Sequence, residues 1–309
     1  MTAVVLCVGE PLIALGPEPG KLLIDADRMW VSEGGAELNV AVHLARLGLT
    51  VRFAGRVGDD PLGHRLHEVL RREGIDASGL TFDAERPTGV YFKQHLPAGS
   101  SFHYYRAGSA ASALDELPPS AGTGVGHVHV TGILPALSDS CRRVTERLLT
   151  DLGATTTSFD VNYRRALWEP EQAAPVLREL ADRAGISFVG LDEAHALWGT
   201  ETADDVRRLL PNVRELVVKD SERPAVAFAT GSDRVSESPV ASEIVDPVGA
   251  GDGFAAGYLA ARLSNRDVRS ALRLGHTIAA GVLGAHGDHG DRVAEQHIAA
   301  ALKRAPEAA

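Results

Sequence analysis

The segment Asp246-Pro247-Val248-Gly249-Ala250-Gly251-Asp252-Gly253-Phe254 joins the end of an extended stretch to a helix rich in alanine and glycine. Its small residues allow a ligand to approach the backbone closely. The first N–H groups of a helix have no partner within the helix, and with the positive end of the helix dipole they form a site for an anion such as phosphate. We therefore predict an anion hole at Gly249, Ala250 and Gly251.

Asp252 follows this predicted anion hole directly. A carboxylate in that place would be repelled by bound phosphate unless it accepts a proton, so we predict that Asp252 is the catalytic base that deprotonates an attacking hydroxyl group. The competing interpretation is a glycine turn whose aspartate caps the helix.

Short β-branched runs and helical patterns alternate along the rest of the chain. This alternation is typical of right-handed βαβ units around a mainly parallel sheet, so we predict an α/β fold. The predicted strands are Val4 to Val8, Val51 to Gly55, His127 to Val130, Thr156 to Asp160, Ile186 to Gly190 and Glu215 to Lys219. The predicted helices are 36–47, 140–152, 173–184, 250–263, 267–285 and 294–303, and 305–309 is expected to be frayed.

Two stretches interrupt the alternation, at about 12–31 and 86–106, because they carry strand signals without an intervening helix. We interpret them as insertions that form a small antiparallel β lid on a single domain spanning 1–309, since no linker divides the chain. Exposed lid strands favour a homodimer or a higher homo-oligomer through the lid, although the sequence does not fix the oligomeric state.

Composition limits the classes of partner. The chain has 309 residues and a formal net charge of -10, which argues against nucleic acid and membrane surfaces because both are polyanionic. Two isolated cysteines, Cys7 and Cys141, give neither a disulfide framework nor a metal cluster. No signal sequence or long apolar span is recognisable, so we expect a cytoplasmic protein that acts on small molecules.

A second glycine-rich segment, Gly34-Gly35-Ala36-Glu37-Leu38-Asn39, opens the first predicted helix. It is not a dinucleotide-binding fingerprint, because it lacks the third glycine and does not follow the first strand. Together with 246–260, however, it resembles the two signatures of the ribokinase-like, or PfkB, family of carbohydrate kinases. The resemblance implies a three-layer α/β/α sandwich with a β lid, ATP and Mg²⁺ as cofactors, and the predicted roles of Gly249 to Asp252.

Within this family the chain resembles the 2-keto-3-deoxygluconate kinases. Three features carry the resemblance: Tyr104-Tyr105-Arg106 on a lid strand, Asp160-Val161-Asn162-Tyr163-Arg164, and Gly287-Asp288. Tyr104 and Arg106 lie two apart and so share one face of a strand, and an arginine fork suits a carboxylate. The resemblance implies a sugar acid bound by Gly35, Asn39, Tyr91, Tyr104, Arg106, Arg164 and Asp288, and ATP bound by Asn162, Asp192 and Lys219.

Some positions depart from the family pattern. Asp192-Glu193-Ala194-His195 stands where Asn-x-x-Glu is usual, the turn after Lys219 has no glycine, and Pro247 replaces a threonine. These changes predict weaker nucleotide support and leave the metal ligands unassigned and activation by a monovalent cation such as K⁺ open. We read the loop 284–290 as a flexible cover over adenine, with a zinc site as the alternative.

Two other functions stay compatible with these residues. One is a neutral-sugar or nucleoside kinase of the same fold, in which the two arginines serve the lid or the phosphates. The other is a non-catalytic sugar-acid sensor that has lost phosphoryl transfer through the altered nucleotide elements.

Overall fold

The computed structural model describes residues 3–18, 20–96, 99–150, 156–230, 234–242, 244–285 and 287–303. Its strands, in chain order, are β1 Val4–Val8, β2 Leu12–Pro17, β3 Met29–Gly34, β4 Val51–Gly58, β5 Asp76–Asp83, β6 Val90–Leu96, β7 Gly99–Tyr105, β8 Val125–Thr131, β9 Thr156–Asp160, β10 Ile186–Gly190, β11 Glu215–Lys219, β12 Ala225–Ala229 and β13 Val235–Glu237. The helices are α1 Ala36–Arg46, α2 Pro61–Arg72, α3 Ile133–Leu137, α4 Asp139–Thr150, α5 Pro170–Arg183, α6 Leu191–Trp198, α7 Ala203–Leu209, α8 Ala250–Leu263, α9 Val268–Leu283 and α10 Glu295–Ala301.

A nine-stranded sheet in the order β13-β12-β11-β10-β9-β8-β1-β4-β5 forms the centre of the molecule. Within this order, the neighbouring strands β11, β10, β9, β8, β1, β4 and β5 pair in parallel. β12 and β13 add an antiparallel edge beside β11. The predicted mainly parallel sheet is confirmed. The six predicted strands are all present within it, and α1, α4, α5, α8, α9 and α10 lie at the predicted helices.

Two hydrophobic cores lie on opposite faces of this sheet. Side chains alternate along β1, so Val5 and Cys7 enter one core while Leu6 and Val8 enter the other. The first core packs α1, α2, α8 and α9 against the sheet, and the second packs α4, α5 and α6 against its other face. The fold is therefore a three-layer α/β/α sandwich.

A smaller sheet in the order β3-β2-β6-β7 covers one end of the sandwich, and we call it the lid. β2 pairs antiparallel with β3 and parallel with β6, and β6 pairs antiparallel with β7. β1 continues almost directly into β2, and β3 leads through Gly35 into α1, so the lid stands over the carboxyl ends of the central strands. In open α/β sheets that edge is where ligands bind.

The predicted frayed tail, 305–309, and the end of the predicted helix 140–152 lie outside the described residues. Of the helices that the structure describes, none combines the length and the apolar character needed to cross a bilayer.

Candidate active site

The start of α8 has the geometry predicted for an anion hole. Gly249 precedes the helix with a φ of 80°, in the left-handed region that favours glycine, and no side chain caps the helix there. Lys219 lies beside it, since its Nζ would be 3.6 Å from a Cβ on Gly251. The Ala250 N–H makes a long hydrogen bond of 3.4 Å to the Pro247 carbonyl. With no side-chain cap and a nearby ammonium group, this end of the helix is suitable for a phosphate.

Asp252 lies in the first turn of α8 and is 8% exposed. Its Oδ2 accepts a hydrogen bond from Nδ2 of Asn39 at 2.7 Å, and its Oδ1 accepts one from Nδ2 of Asn162 at 3.1 Å. The two amide donors come from α1 and from the segment after β9. The side chain thus points into the site instead of capping its own helix.

The pKa of Asp252 is unusual for an aspartate. Burial raises it from 3.8 to about 7, and the nearby Asp160 carboxylate adds to this rise. The hydrogen bond from Asn39 and the charges of Arg164 and Lys219 act in the opposite direction. A carboxyl group with a pKa near neutrality can both accept and release a proton, as a general base must.

Asp288 lies under the lid, next to the anion hole. Its Oδ2 accepts a hydrogen bond from the Tyr91 hydroxyl at 2.7 Å, and its backbone packs so closely on Gly249 that a Cβ there would collide with it. Burial raises the pKa of Asp288 to about 6, while Lys93 and hydrogen bonds from Tyr91 and Asn39 lower it.

The loop that carries Asp288 contacts the lid and α1. Its residues Asp288 and His289 are directed toward the lid and toward His43 of α1, whose ring centroid is 6.5 Å from that of His289. Arg46 donates hydrogen bonds to the backbone carbonyls of His289 and Gly290 and holds the loop against α1. The predicted cover over adenine stays a prediction. The described residues contain no group of three or more His, Cys, Asp or Glu suited to a metal ion; His286, which the zinc alternative used, is outside them.

The lid residues are arranged as strand alternation predicts. Arg106 follows β7 and places its guanidinium carbon 5.6 Å from the ring centroid of Tyr104, whereas Tyr105 points away and is 67% exposed. Arg106 is buried in an ion pair with Glu10, and Glu10 also accepts a hydrogen bond from the Ser109 hydroxyl at 2.6 Å. Glu10, which follows β1, was not recognised in the sequence.

The second predicted carboxylate ligand, Arg164, lies elsewhere in the site. It is half-exposed, and its Nη1 is 3.6 Å from Oε1 of Glu193. Its charge lowers the pKa of both Asp252 and Tyr104, so it lies within electrostatic reach of the base and of the lid. The structure brings Arg106 and Arg164 to different acidic partners and not to each other.

Glu193 is the more buried of the two carboxylates at the start of α6. Glu193 is largely buried, whereas His195 and Asp192 are exposed at the start of the helix. Burial raises the pKa of Glu193; Lys219 and Arg164 lower it and Asp160 raises it further. Glu193 thus reaches the inside of the site from the observed loop, and the effect of Asp192 and His195 on nucleotide and metal binding stays a prediction.

Lys219 ends β11 and is held by a neighbouring strand. Its Nζ donates to Oδ2 of Asp160, the last residue of β9, at 2.6 Å. The second carboxylate oxygen of Asp160 is buried without a hydrogen-bond partner among the described residues. Burial alone would lower the pKa of Lys219, but the carboxylates of Asp160 and Glu193 outweigh it and raise the pKa. Lys219 therefore stays charged beside α8.

A cleft of about 660 Å³ opens from this lysine along α8 and α9. One end is charged, with Asp192, Glu193 and Lys219, and the other end is lined by apolar groups that include Val240, Ile244, Phe254, Ala279, Ala280 and Leu283. The glycine-free turn after Lys219 borders the cleft, and Asp220 there is paired with Arg223 at 2.8 Å. The negative charge of Asp220 in this turn is thus partly neutralised.

Gly35 and Glu37 complete the wall between the lid and the sheet. Gly35 has a φ of 123° and lies against the backbone of Glu10 and Pro11, where a side chain would not fit. Glu37 is fully buried and accepts a hydrogen bond from the Thr131 hydroxyl at 2.7 Å, and burial raises its pKa to about 7. Nothing in the local sequence pattern distinguishes Glu37 from an ordinary helix-start acid.

Known proteins resemble this chain in sequence and in fold. Residues 2–293 match the sequence model of the pfkB family carbohydrate kinase. A 2-dehydro-3-deoxygluconokinase of Bacillus subtilis (strain 168) is 37% identical over 264 residues, which cover 82% of this chain and 81% of that protein. A probable fructokinase-4 of Arabidopsis thaliana is 31% identical and covers 90% of each chain. A crystal structure of a putative ribokinase II from E. coli, in complex with ATP and Mg²⁺, superposes with a TM-score of 0.84 at 21% identity, over 94% of this chain and 95% of that one.

Proposed function

The chain belongs to the PfkB family of carbohydrate kinases, and we propose that, as a sugar kinase of this family, it transfers the γ-phosphoryl group of ATP to 2-keto-3-deoxygluconate or a closely related sugar acid. The observation that carries the proposal is Asp252, a buried carboxylate with a pKa of about 7. The side-chain amides of Asn39 and Asn162 hold it beside the N–H groups at the start of α8. In this mechanism Asp252 takes the proton of the attacking hydroxyl, and the amides of Gly249 to Gly251 stabilise negative charge on the phosphoryl group.

The lid supports the choice of a sugar acid. Tyr91, Tyr104 and Arg106 face the space between the lid and Asp252. Although Glu10 neutralises part of the Arg106 charge, Nε of Arg106 is buried without a hydrogen-bond partner in the described part of the chain. The guanidinium group therefore keeps a donor for a ligand carboxylate, and Arg164 adds a second positive charge. The Bacillus relative is named for the same substrate class.

The cleft along α8 and α9 suits ATP. Its apolar end would take the base, and Lys219 at its charged end would meet the phosphates. Mg²⁺ fits the same end, because Glu193 and Asp192 offer oxygen ligands and one oxygen of Asp160 is unpaired. Within the described part of the chain too few protein ligands converge for a closed metal site, so these residues would hold the ion together with ATP. The ion would neutralise phosphate charge.

A panel of acceptors tests the substrate class. We expect ADP formation with 2-keto-3-deoxygluconate and a kcat/KM at least about tenfold lower with fructose, ribose and nucleosides, because these lack the carboxylate. Arg106→Met should raise KM for the sugar acid about 10- to 100-fold and leave KM for neutral sugars nearly unchanged. An equal effect on both classes would remove the carboxylate role. Preference for fructose, to which the Arabidopsis relative points, would establish the neutral-sugar alternative.

The base is tested separately by Asp252→Asn. The amide keeps the shape and cannot accept the proton, so kcat should fall by at least about 10²-fold while KM changes little. The exposed Asp291→Asn is the matched control. Turnover at the wild-type rate in Asp252→Asn would contradict the mechanism.

A further inference from the structure

The lid strand β6 directs one buried charge toward the start of α8. Lys93 follows Tyr91 by two residues, so both side chains lie on the same face of the strand. Lys93 is 0% exposed; its ammonium group forms an ion pair with the Asp246 carboxylate and lies 3.8 Å from Oδ1 of Asp288. One lysine thus faces two buried carboxylates from two distant segments of the chain.

Both carboxylates belong to loops that shape the predicted anion hole. Oδ1 of Asp246 accepts a hydrogen bond from the backbone N–H of Val248 at 3.1 Å, which fixes the turn that leads to Gly249. The Asp288 backbone packs directly against Gly249. A displacement of either aspartate would therefore move Gly249 and the amides that follow it.

The electrostatic balance of this corner depends on Lys93. Two buried carboxylates that face each other without a cation repel, and each pays a large desolvation cost. The other buried cations of the site are engaged elsewhere, Arg106 with Glu10 and Lys219 with Asp160. Lys93 is the cation that the structure brings to both Asp246 and Asp288.

We propose that Lys93 is a positioning residue for phosphoryl transfer: its ammonium group holds Asp246 and Asp288 together and thereby fixes the anion hole to the lid strand. The proposal rests on the proposed function and adds a built-in cation to it. A free monovalent cation is then not needed at these two carboxylates, because the positive charge is on a side chain of the protein itself.

Lys93→Ala tests this role, because it removes the ammonium group and leaves space beside two carboxylates. We expect kcat to fall by about 10²-fold, since small displacements of catalytic groups cost that much, while KM for the sugar changes less than about threefold. Ethylammonium or K⁺ at millimolar concentration should recover at least about a tenth of the lost rate by refilling the site. Lys21→Ala, an exposed lysine of the lid segment, is the matched control and should show neither effect.

A second readout does not depend on turnover. Hydrogen exchange of the amides 247–251 in the ligand-free protein should become faster in Lys93→Ala and slow again with ethylammonium. If Lys93→Ala does not fold, Lys93→Met combined with Asp246→Asn removes both charges of the ion pair; it should fold and still show fast exchange and low kcat.

The outcomes separate the two proposals. Normal kcat in Lys93→Ala, or low kcat with unchanged exchange and no response to either cation, would overturn the positioning role. If the wild-type protein phosphorylates no acceptor, the proposed function fails, and the exchange experiment still decides whether Lys93 fixes the anion hole.

Discussion

Asp252 depends on residues that no local motif contains. Its pKa is raised by burial and by the carboxylate of Asp160, which ends β9 some ninety positions earlier. Asn39, Arg164 and Lys219 lower the pKa. Asp160 in turn is held by Lys219, so the base and the predicted phosphate ligand share one carboxylate. Changes at Asp160 and Lys219 should therefore move the protonation of Asp252 in opposite directions.

The pH dependence of kcat/KM tests this coupling. Asp252 must be deprotonated to act, so kcat/KM should rise with pH through about 7 in the wild type. In Asp160→Asn a negative neighbour is lost and Lys219 is freed, so the rise should occur at lower pH. In Lys219→Met a positive neighbour is lost, and the rise should occur at higher pH. Profiles from pH 5.5 to 9 with saturating ATP provide the measurement; coincident profiles in all three proteins would exclude Asp252 as the titrating group.

Much of the site was predictable from single residues, but their contacts were not. The glycines at 249 and 251, Asp252 and the lid pair Tyr104 and Arg106 follow from helix-end chemistry and strand alternation. Glu10 and Lys93 could not be found this way, because an acid after a strand and a lysine within one have no distinctive pattern. The inward position of Glu193 depends on the direction of its side chain in α6, which the sequence does not show.

At the scale of elements, periodicity located the central strands and most of the helices. It did not identify β5 or α2, although α2 carries a clear start signal: Asp60 precedes Pro61 and accepts hydrogen bonds from the N–H groups of Leu62 and Gly63. Asp60 also accepts a hydrogen bond from the N–H of Thr88 at 2.8 Å. The helix cap therefore also anchors the chain as it enters the lid, a link that sequence spacing does not show.

β8 and β9 are joined by a buried polar ladder as well as by their backbones. The Ser158 hydroxyl contacts Nε2 of His127 at 2.8 Å and Nδ1 of His129 at 2.9 Å, and burial lowers the pKa of both histidines to about 3. The rings are therefore neutral. His127 also contacts the Thr156 hydroxyl through Nδ1 at 2.7 Å, whereas Ser158 is the partner that both rings share.

Ser158→Ala should destabilise the protein by about 2 kcal/mol, because it leaves two buried ring nitrogens without this partner. Urea unfolding at pH 7.5 measures the change. Ser236→Ala, on the edge strand β13, should cost less than about 0.5 kcal/mol and serves as the control. A Ser158→Ala variant as stable as the wild type would show that the ladder contributes nothing to the pairing of β8 and β9.

For the whole molecule, the lid determines both access to the site and the predicted association. β3 and β7 form the outer edges of the lid sheet, and Met29, Val31 and Tyr105 leave apolar surface exposed there. A homodimer through the lid stays a prediction. Such contact would bear on catalysis, because β7 leads into Arg106 and β3 leads into Gly35.

The stability of the whole molecule should reflect its buried acids. Asp252 has a folded-state pKa of about 7 against an ordinary value of 3.8, so the folded protein binds a proton that the unfolded chain releases between these values. Its contribution to stability is complete below about pH 4 and is lost as pH rises through about 7. Glu37 and Asp288 act with the same sign. The buried histidines act oppositely, because their lowered pKa values cost stability as pH falls below about 6.5.

Asp252→Asn isolates one of these opposing contributions. The variant no longer has to bury a charge at high pH. The difference between its free energy of unfolding and that of the wild type should therefore increase in favour of the variant from pH 5 to pH 8.5, by on the order of 2 kcal/mol. Urea titrations of both proteins at the two pH values give the difference, and the exposed Asp291→Asn should show no such change. A difference that stays constant with pH would mean that Asp252 is not held at a raised pKa in the folded protein, and the same result would remove the electrostatic basis for its role as the base.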